Sequence, residues 1–254
     1  MNKLKKIDLI RSNLKKGELS LGSWLQISNT SVAEILGDAG YDWIAIDMEH
    51  ASIDYSKLPD LCRALELNNT LPLVRLIEGS ERECKQALDS GAGGLIIPMI
   101  KSAEQLMNSI SAACWPPQGT RGVGFSRANL YGKNFETYSN LAQKPLVIAM
   151  IENINAIQEL DKILDVPGLD SIFIGPYDLS ASMGMTGNFK SREFKSTLNE
   201  IKLKAIQKNI PLGIHIVQPD IAALKDKIKE GYQFIAYSID SVMLIESSQK
   251  PSIA

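Results

Sequence analysis

Short apolar runs, rich in β-branched residues, alternate along this chain with longer stretches of helical period. The runs occupy 21–27, 43–49, 71–77, 94–100, 146–152, 171–176, 212–217 and 233–240. Their near-continuous apolar character is that of strands buried on both faces, the mark of parallel pairing. Helical periodicity follows at 54–69, 81–90, 103–113, 193–209 and 220–230, and Ser31 with Glu34 three residues on predicts a capped helix directly after the first run. Eight runs in 254 residues repeat at about 32 residues, the size of one strand–helix unit. The pattern predicts a single α/β domain over 1–254, a closed (β/α)8 TIM barrel preceded by an N-terminal helical segment of about residues 1–18. A doubly wound sheet would need a glycine-rich turn after the first strand; Ser28, Asn29, Thr30 and Ser31 stand there instead. One interruption, 116–127, is rich in Gly and Pro. The last helix, 241–248, is short, which leaves a face for another subunit to cover.

Composition narrows the partners. With 27 Lys and Arg against 29 Asp and Glu, the net charge is -2. That balance offers no long-range attraction for polyanions, so nucleic acid is not an expected partner. Cys62, Cys84 and Cys114 are scattered without CxxC spacing, which points to free thiols in a reducing compartment. The N-terminus carries charges on both sides of a very short apolar stretch, unlike a signal peptide, and no run approaches membrane-spanning length. A cytoplasmic protein with no membrane partner is expected.

In a barrel, chemistry sits where strands run out into the loops that follow them. Strand 2 ends in Asp47-Met48-Glu49-His50, strand 3 carries Arg75, strand 5 ends in Glu152 and strand 6 in Gly175-Pro176-Tyr177-Asp178. Glu152 and Asp178, on neighbouring strand ends, would repel each other if buried without a cation. Either one alone reads as a helix cap. Together they favour a hard divalent ion such as Mg2+ or Mn2+, which takes oxygen ligands and keeps several waters. His50, three residues after Asp47, fits either a carboxylate-held acid/base or a solvated loop histidine. His215 lies within strand 7, where a core histidine is the default. Arg75 fits a carboxylate partner or a fork for a substrate anion. Trp24 and Arg121 could border the mouth, and Arg121 fits a loop-structuring role equally well. A Schiff-base aldolase needs a desolvated lysine in the mouth; Lys101, just past strand 4, is the candidate, whereas Lys144 lies at the opposite end of strand 5. The loops after strands 7 and 8 lack phosphate-cradling glycines, so an unphosphorylated substrate is expected.

Seven segments, taken in chain order, carry a resemblance: Glu34 to Trp43, Asp47 to His50, Val74-Arg75, Leu88 to Ala92, Pro116 to Gly122, Ile151-Glu152 and Ile174 to Ser180. From Leu21 to Asp240 the chain resembles the HpcH/HpaI family of metal-dependent pyruvate aldolases. The resemblance implies Glu152 and Asp178 as ligands of Mg2+, Mn2+ or Co2+, Arg75 on pyruvate, and His50 with Asp47 as the acid/base pair. Gly175, Pro176, Tyr177, Trp24 and His215 are expected around the substrate. A homo-oligomer is also implied, a hexamer built as a trimer of dimers with terminal helices exchanged. Two positions depart from the pattern: Met150 replaces a Gln that contacts pyruvate, and His215 replaces an apolar residue beside the aldehyde. The expected activity is class II aldol cleavage of a 4-hydroxy-2-oxo acid to pyruvate and an aldehyde through a metal-stabilised enolate. Two alternatives are an oxaloacetate-type decarboxylase at the same centre and a 2-oxo-acid-binding barrel without turnover, the latter supported by Met150.

Overall fold

A computed structural model describes residues 2–251; Met1 and 252–254, the ends of the expected 1–254 domain, lie outside the described residues. Eight parallel strands form one closed barrel: β1 (Ser20–Leu25), β2 (Trp43–Asp47), β3 (Leu71–Arg75), β4 (Gly94–Ile97), β5 (Leu146–Ile151), β6 (Ser171–Ile174), β7 (Leu212–Ile216) and β8 (Phe234–Ile239). Each pairs with its neighbours in sequence, and β8 returns to β1. The first helices are α1 (Lys3–Lys15), α2 (Thr30–Asp38), α3 (Leu58–Leu67), α4 (Glu81–Asp89), α5 (Ala103–Ala113) and α6 (Phe135–Ala142). After β5 come α7 (Ile154–Gln158), α8 (Leu160–Leu164), α9 (Pro176–Ser182), α10 (Arg192–Gln207), α11 (Ile221–Lys229) and α12 (Asp240–Ser247). The predicted N-terminal helix is α1.

All residues of β2 through β6 are buried, as strands covered on both faces must be. Alternate side chains point outward beneath the helices, for example Ile44, Ile46 and Val74. Their neighbours, Trp43, Ala45, Leu73, Ile96, Ile148 and Phe173, fill the interior. Ile7, Ile10 and Leu14 of α1 join that interior cluster at the strand starts. There Trp43 stacks on Phe234 at 4.2 Å between ring centroids. Gly22 makes room for the indole, because a Cβ on it would lie 2.2 Å from the Trp43 ring. The amino end of the barrel is thus plugged, and only the carboxyl end is left for a site.

Most strands stop short of the apolar runs that announced them. The backbone N–H groups of Gln26 and Ile27, expected in β1, donate to the Asp240 carboxylate at 2.9 and 2.8 Å instead of to a ladder. Met99, expected in β4, takes a φ of 52° and turns its N–H onto Glu152. At the start of α2 the cap is Asn29 rather than Ser31, whose backbone N–H is the donor at 2.8 Å. The stretch after 116–127 also holds α6, whose buried Tyr138, Leu141 and Ala142 keep helical spacing. All three cysteines are free and buried, and no helix among the described residues is long and apolar enough to cross a membrane.

Candidate active site

Asp47 and Arg75 are register partners at the last positions of β2 and β3. That adjacency decides their chemistry. Arg75 Nε donates to Asp47 Oδ1 at 2.9 Å and Nη2 to Oδ2 at 2.6 Å, a two-pronged pair with Asp47 fully buried. Nη1 lies 3.1 Å from Glu49 Oε2. A guanidinium has five N–H donors, so two remain for a bound anion. The guanidinium also lies 4.3 Å from the centroid of the Trp24 ring, which sits at the end of β1. Burial opposes the Asp47 charge, but the hydrogen bonds and charge of Arg75, a bond from Gln26 and the His50 backbone N–H hold its carboxyl below the usual range.

The expected His50–Asp47 ring contact is not formed. Asp47 Oδ1 accepts the His50 backbone N–H at 3.2 Å and that of Glu49 at 3.1 Å. With both oxygens also committed to Arg75, the carboxylate has turned along the sheet rather than toward the imidazole. The His50 ring is 58% exposed, and its Nε2 is 3.9 Å from Glu49 Oε2.

Opposite this pair is an acidic wall. Glu152 follows β5 and is 2% exposed; its Oε1 accepts the Met99 N–H at 2.6 Å. A Cβ on Gly175 would lie 2.3 Å from Glu152 Oε2, so only glycine permits this carboxylate beside the start of α9. Asp178 lies in the first turn of α9, behind Pro176 and the exposed Tyr177. Burial, reinforced by the Glu49 and Asp178 charges against the Met99 bond, pushes the Glu152 carboxyl up to about 7. Glu49 is raised as well, by burial and by Asp47 and Asp178, despite Arg75 and His50. Asp47, Glu152 and Asp178 thus share the cavity with one guanidinium, and Glu49 lies against that guanidinium, a surplus of carboxyl groups suited to a cation.

Between the two walls lies a cavity of about 260 Å³. Trp24, Asp47, His50, Arg75, Glu152, Gly175, Pro176, Tyr177, Asp178 and His215 all line it, together with Gln26 and Met150. His215 Nε2 is 3.1 Å from the Ser238 carbonyl. A carbonyl only accepts, so Nε2 carries the proton and Nδ1 is the bare acceptor. Burial lowers the His215 pKa to about 4, against the bond to Ser238, with the Arg75 charge adding to the shift. Ser238 can aim its carbonyl inward because it takes a φ of 60° at an irregularity in the β1–β8 register.

Two other candidates fall outside. Lys101 is exposed and does not line the cavity. Arg121 is buried among Trp115 and Tyr138, donating to the Tyr138 hydroxyl at 3.0 Å, which is the loop-structuring role. Conversely, Gln26 and Glu49 had no assigned part in the sequence reading. Glu49 could have been found from its place in the Asp47–His50 tetrapeptide; Gln26 carries no local signal.

Residues 20–247 match the family model described as HpcH/HpaI aldolase/citrate lyase. A hydroxypyruvate/pyruvate aldolase of Roseobacter denitrificans is 34% identical over 248 residues, covering 96% of this chain and 95% of the relative. A 2-keto-3-deoxy-L-rhamnonate aldolase of Escherichia coli K12 is 35% identical over 235 residues, covering 92% and 87%. Among solved structures, an HpcH/HpaI aldolase/citrate lyase family protein from Burkholderia cenocepacia superposes with a TM-score of 0.88 at 30% identity, covering 94% of this chain and 96% of the other.

Proposed function

Since this chain belongs to the HpcH/HpaI aldolase/citrate lyase family and is a carbon–carbon lyase of the aldolase kind, we propose that it cleaves a 4-hydroxy-2-oxo acid reversibly to pyruvate and an aldehyde, with a divalent metal at the carboxyl end of the barrel. The observation that carries the reading is the charge imbalance: buried Glu152, raised to about 7, lines one cavity with Asp178 and Asp47, and the Glu49 charge acts on it from beside that cavity. All-oxygen donors of this kind fit Mg2+, Mn2+ or Co2+. Among the described residues no group of three or more His, Cys, Asp or Glu is arranged to hold an ion, so Glu152 and Asp178 would hold it as two carboxylates, with water and substrate on the remaining positions. Such an ion supplies Lewis-acid stabilisation of the negative charge that grows on the keto oxygen during cleavage.

The protein's own groups do the rest. The two spare N–H donors of Arg75 bind the 2-oxo acid and lie in fixed directions, because Asp47, Glu49 and Trp24 hold the guanidinium on three sides. His50 takes the proton of the C4 hydroxyl, directly or through water, as the C3–C4 bond breaks. The bond pair stays with C3 as the enolate of pyruvate, and a proton returned to C3 completes the reaction. His50 is exposed enough to exchange that proton with solvent. Glu49, rather than Asp47, is the carboxylate beside its ring. His215 offers Nδ1 as an acceptor for a hydroxyl of the aldehyde half, supporting a hydroxylated aldehyde. Met150 leaves the floor beneath the pyruvate end apolar.

We read the whole chain as one cytoplasmic domain acting as a homo-oligomer, a trimer of dimers with exchanged terminal helices. In support, α11 buries none of its residues, and Ile221, Leu244 and Ile245 are 63%, 58% and 58% exposed. Sedimentation at micromolar protein tests the assembly.

The reaction is tested by proton NMR of pyruvate in deuterated buffer. The methyl protons should exchange with Mg2+ or Mn2+ present and stop with chelator. Exchange that persists in metal-stripped Glu152→Gln or Asp178→Asn protein would reject the metal assignment.

A further inference from the structure

We propose that Gln26 is a positioning residue for Arg75, tying the guanidinium through Asp47 to the first turn of α12. The proposal rests on Arg75 being the anion clamp of the reading above. Gln26 follows β1, and its peptide is held from outside the barrel: Asp240, the first residue of α12, accepts the Gln26 and Ile27 N–H groups on its two oxygens. The side chain therefore starts from a fixed point. Its Nε2 donates to Asp47 Oδ2 at 2.9 Å, and its Oε1 accepts from Ser241 Oγ at 3.2 Å. An ionised Asp47 only accepts, so the amide must present its NH2 to Asp47 and its oxygen to α12.

The two Asp47 oxygens are not equally served. Oδ1 accepts Arg75 Nε and the backbone N–H groups of Glu49 and His50. Oδ2 accepts only Arg75 Nη2 and Gln26. Removing the amide leaves Oδ2 held by Arg75 alone, so the carboxylate can rotate about Oδ1, which the Glu49 and His50 N–H groups anchor, and carries the guanidinium with it. Its spare donors would point less well at the bound anion. Because this affects the bound substrate and the transition state alike, the loss falls on KM more than on kcat. A glutamine also suits this place because it is neutral; a carboxylate would set a like charge against Asp47.

The test uses Gln26→Leu, Gln26→Glu and the milder Ser241→Ala in the full-length protein. Crystal structures of each variant report the position of Arg75 without reference to activity. Steady-state kinetics with a 4-hydroxy-2-oxo acid, and calorimetric binding of pyruvate with Mg2+, report its consequence. Gln26→Leu should rotate the Asp47 carboxylate, shift Arg75 with it and raise KM and the pyruvate Kd about tenfold, with kcat kept within about twofold. Ser241→Ala should act in the same direction, more weakly. In Gln26→Glu the introduced carboxyl donates to Asp47 when protonated and repels it when ionised, while Arg75 opposes that repulsion and Glu49 adds to it. The ratio of variant to wild-type Kd should therefore start near one at low pH and climb as pH rises; taking the ratio removes any pH dependence common to both proteins. A merely structural role would lower stability and leave that ratio flat. An unmoved Arg75 in Gln26→Leu, together with wild-type KM and Kd, would overturn the proposal. Arg75 displaced in the variants of a wild-type protein that neither binds pyruvate nor turns over would uphold the link and overturn the proposed function instead.

Discussion

Replacing Glu152 by Gln should stabilise the metal-free protein, and by more as the pH rises. In the folded chain the Glu152 carboxyl holds its proton up to about 7, whereas its ordinary value is 4.5. Between these values the native state binds more protons than the unfolded state. Stability from this group is therefore fully present below the unfolded value and is lost as pH rises through about 7. The gap corresponds to about 3 kcal/mol, and at 2% exposure little of it is screened by solvent. Glutamine keeps the oxygen that accepts the Met99 N–H and does not titrate. The assay is denaturant unfolding in chelator at pH 5 and pH 8, for wild type and variant side by side. The variant should gain on the wild type by about 2.5 kcal/mol between the two pH values, or roughly 5–10 °C in melting temperature. Adding Mg2+ at pH 8 should then stabilise the wild type and leave the variant unmoved. A difference between the two proteins that stays flat from pH 5 to pH 8 would refute the burial and repulsion assigned to Glu152.

Other outcomes follow from the same geometry. Asp47→Ala strips a buried guanidinium of its main partner and should cost about 3–5 kcal/mol in urea unfolding; a loss under 1 kcal/mol would mean that Arg75 finds another anion. His50→Ala should abolish aldol cleavage while sparing oxaloacetate decarboxylation, since only the former needs the C4 hydroxyl proton removed; parallel loss of both activities would place His50 in binding. His215→Leu removes the only acceptor proposed for the aldehyde half and should shift kcat/KM about tenfold or more in favour of an aldehyde lacking the hydroxyl. An unchanged ratio across such a pair would remove His215 from specificity.

The barrel was legible because period is a local property. Trp43 to Asp47 reads as a doubly buried strand from its own residues, and the same signal repeated eight times leaves few topologies other than closure. Glu152 and Asp178 were legible for a related reason: residues at consecutive strand ends share one mouth, whatever their orientation. The role of Asp47 was not. A carboxylate three residues before a histidine looks like its partner, yet parallel register brings Arg75, 28 residues away, to the same level on the next strand. Strand ends were overread for a similar reason. Gln26 and Met99 continue apolar runs, but their N–H groups are taken by Asp240 and Glu152, acids from distant parts of the chain.

The amino-acid order alone determined which segments are strands, how many there are and which acids, histidines and arginine gather at one end, because side-chain period and strand polarity need no knowledge of neighbours. Tertiary structure decided which of those groups touch. Asp47 turns to Arg75 and not to His50, Arg121 is withdrawn behind Trp115 and Tyr138, and Gln26 is drawn into the network. Hydrogen-bond partners are set by register and by distances of about 3 Å between residues far apart in sequence, and no pattern of nearest neighbours encodes those.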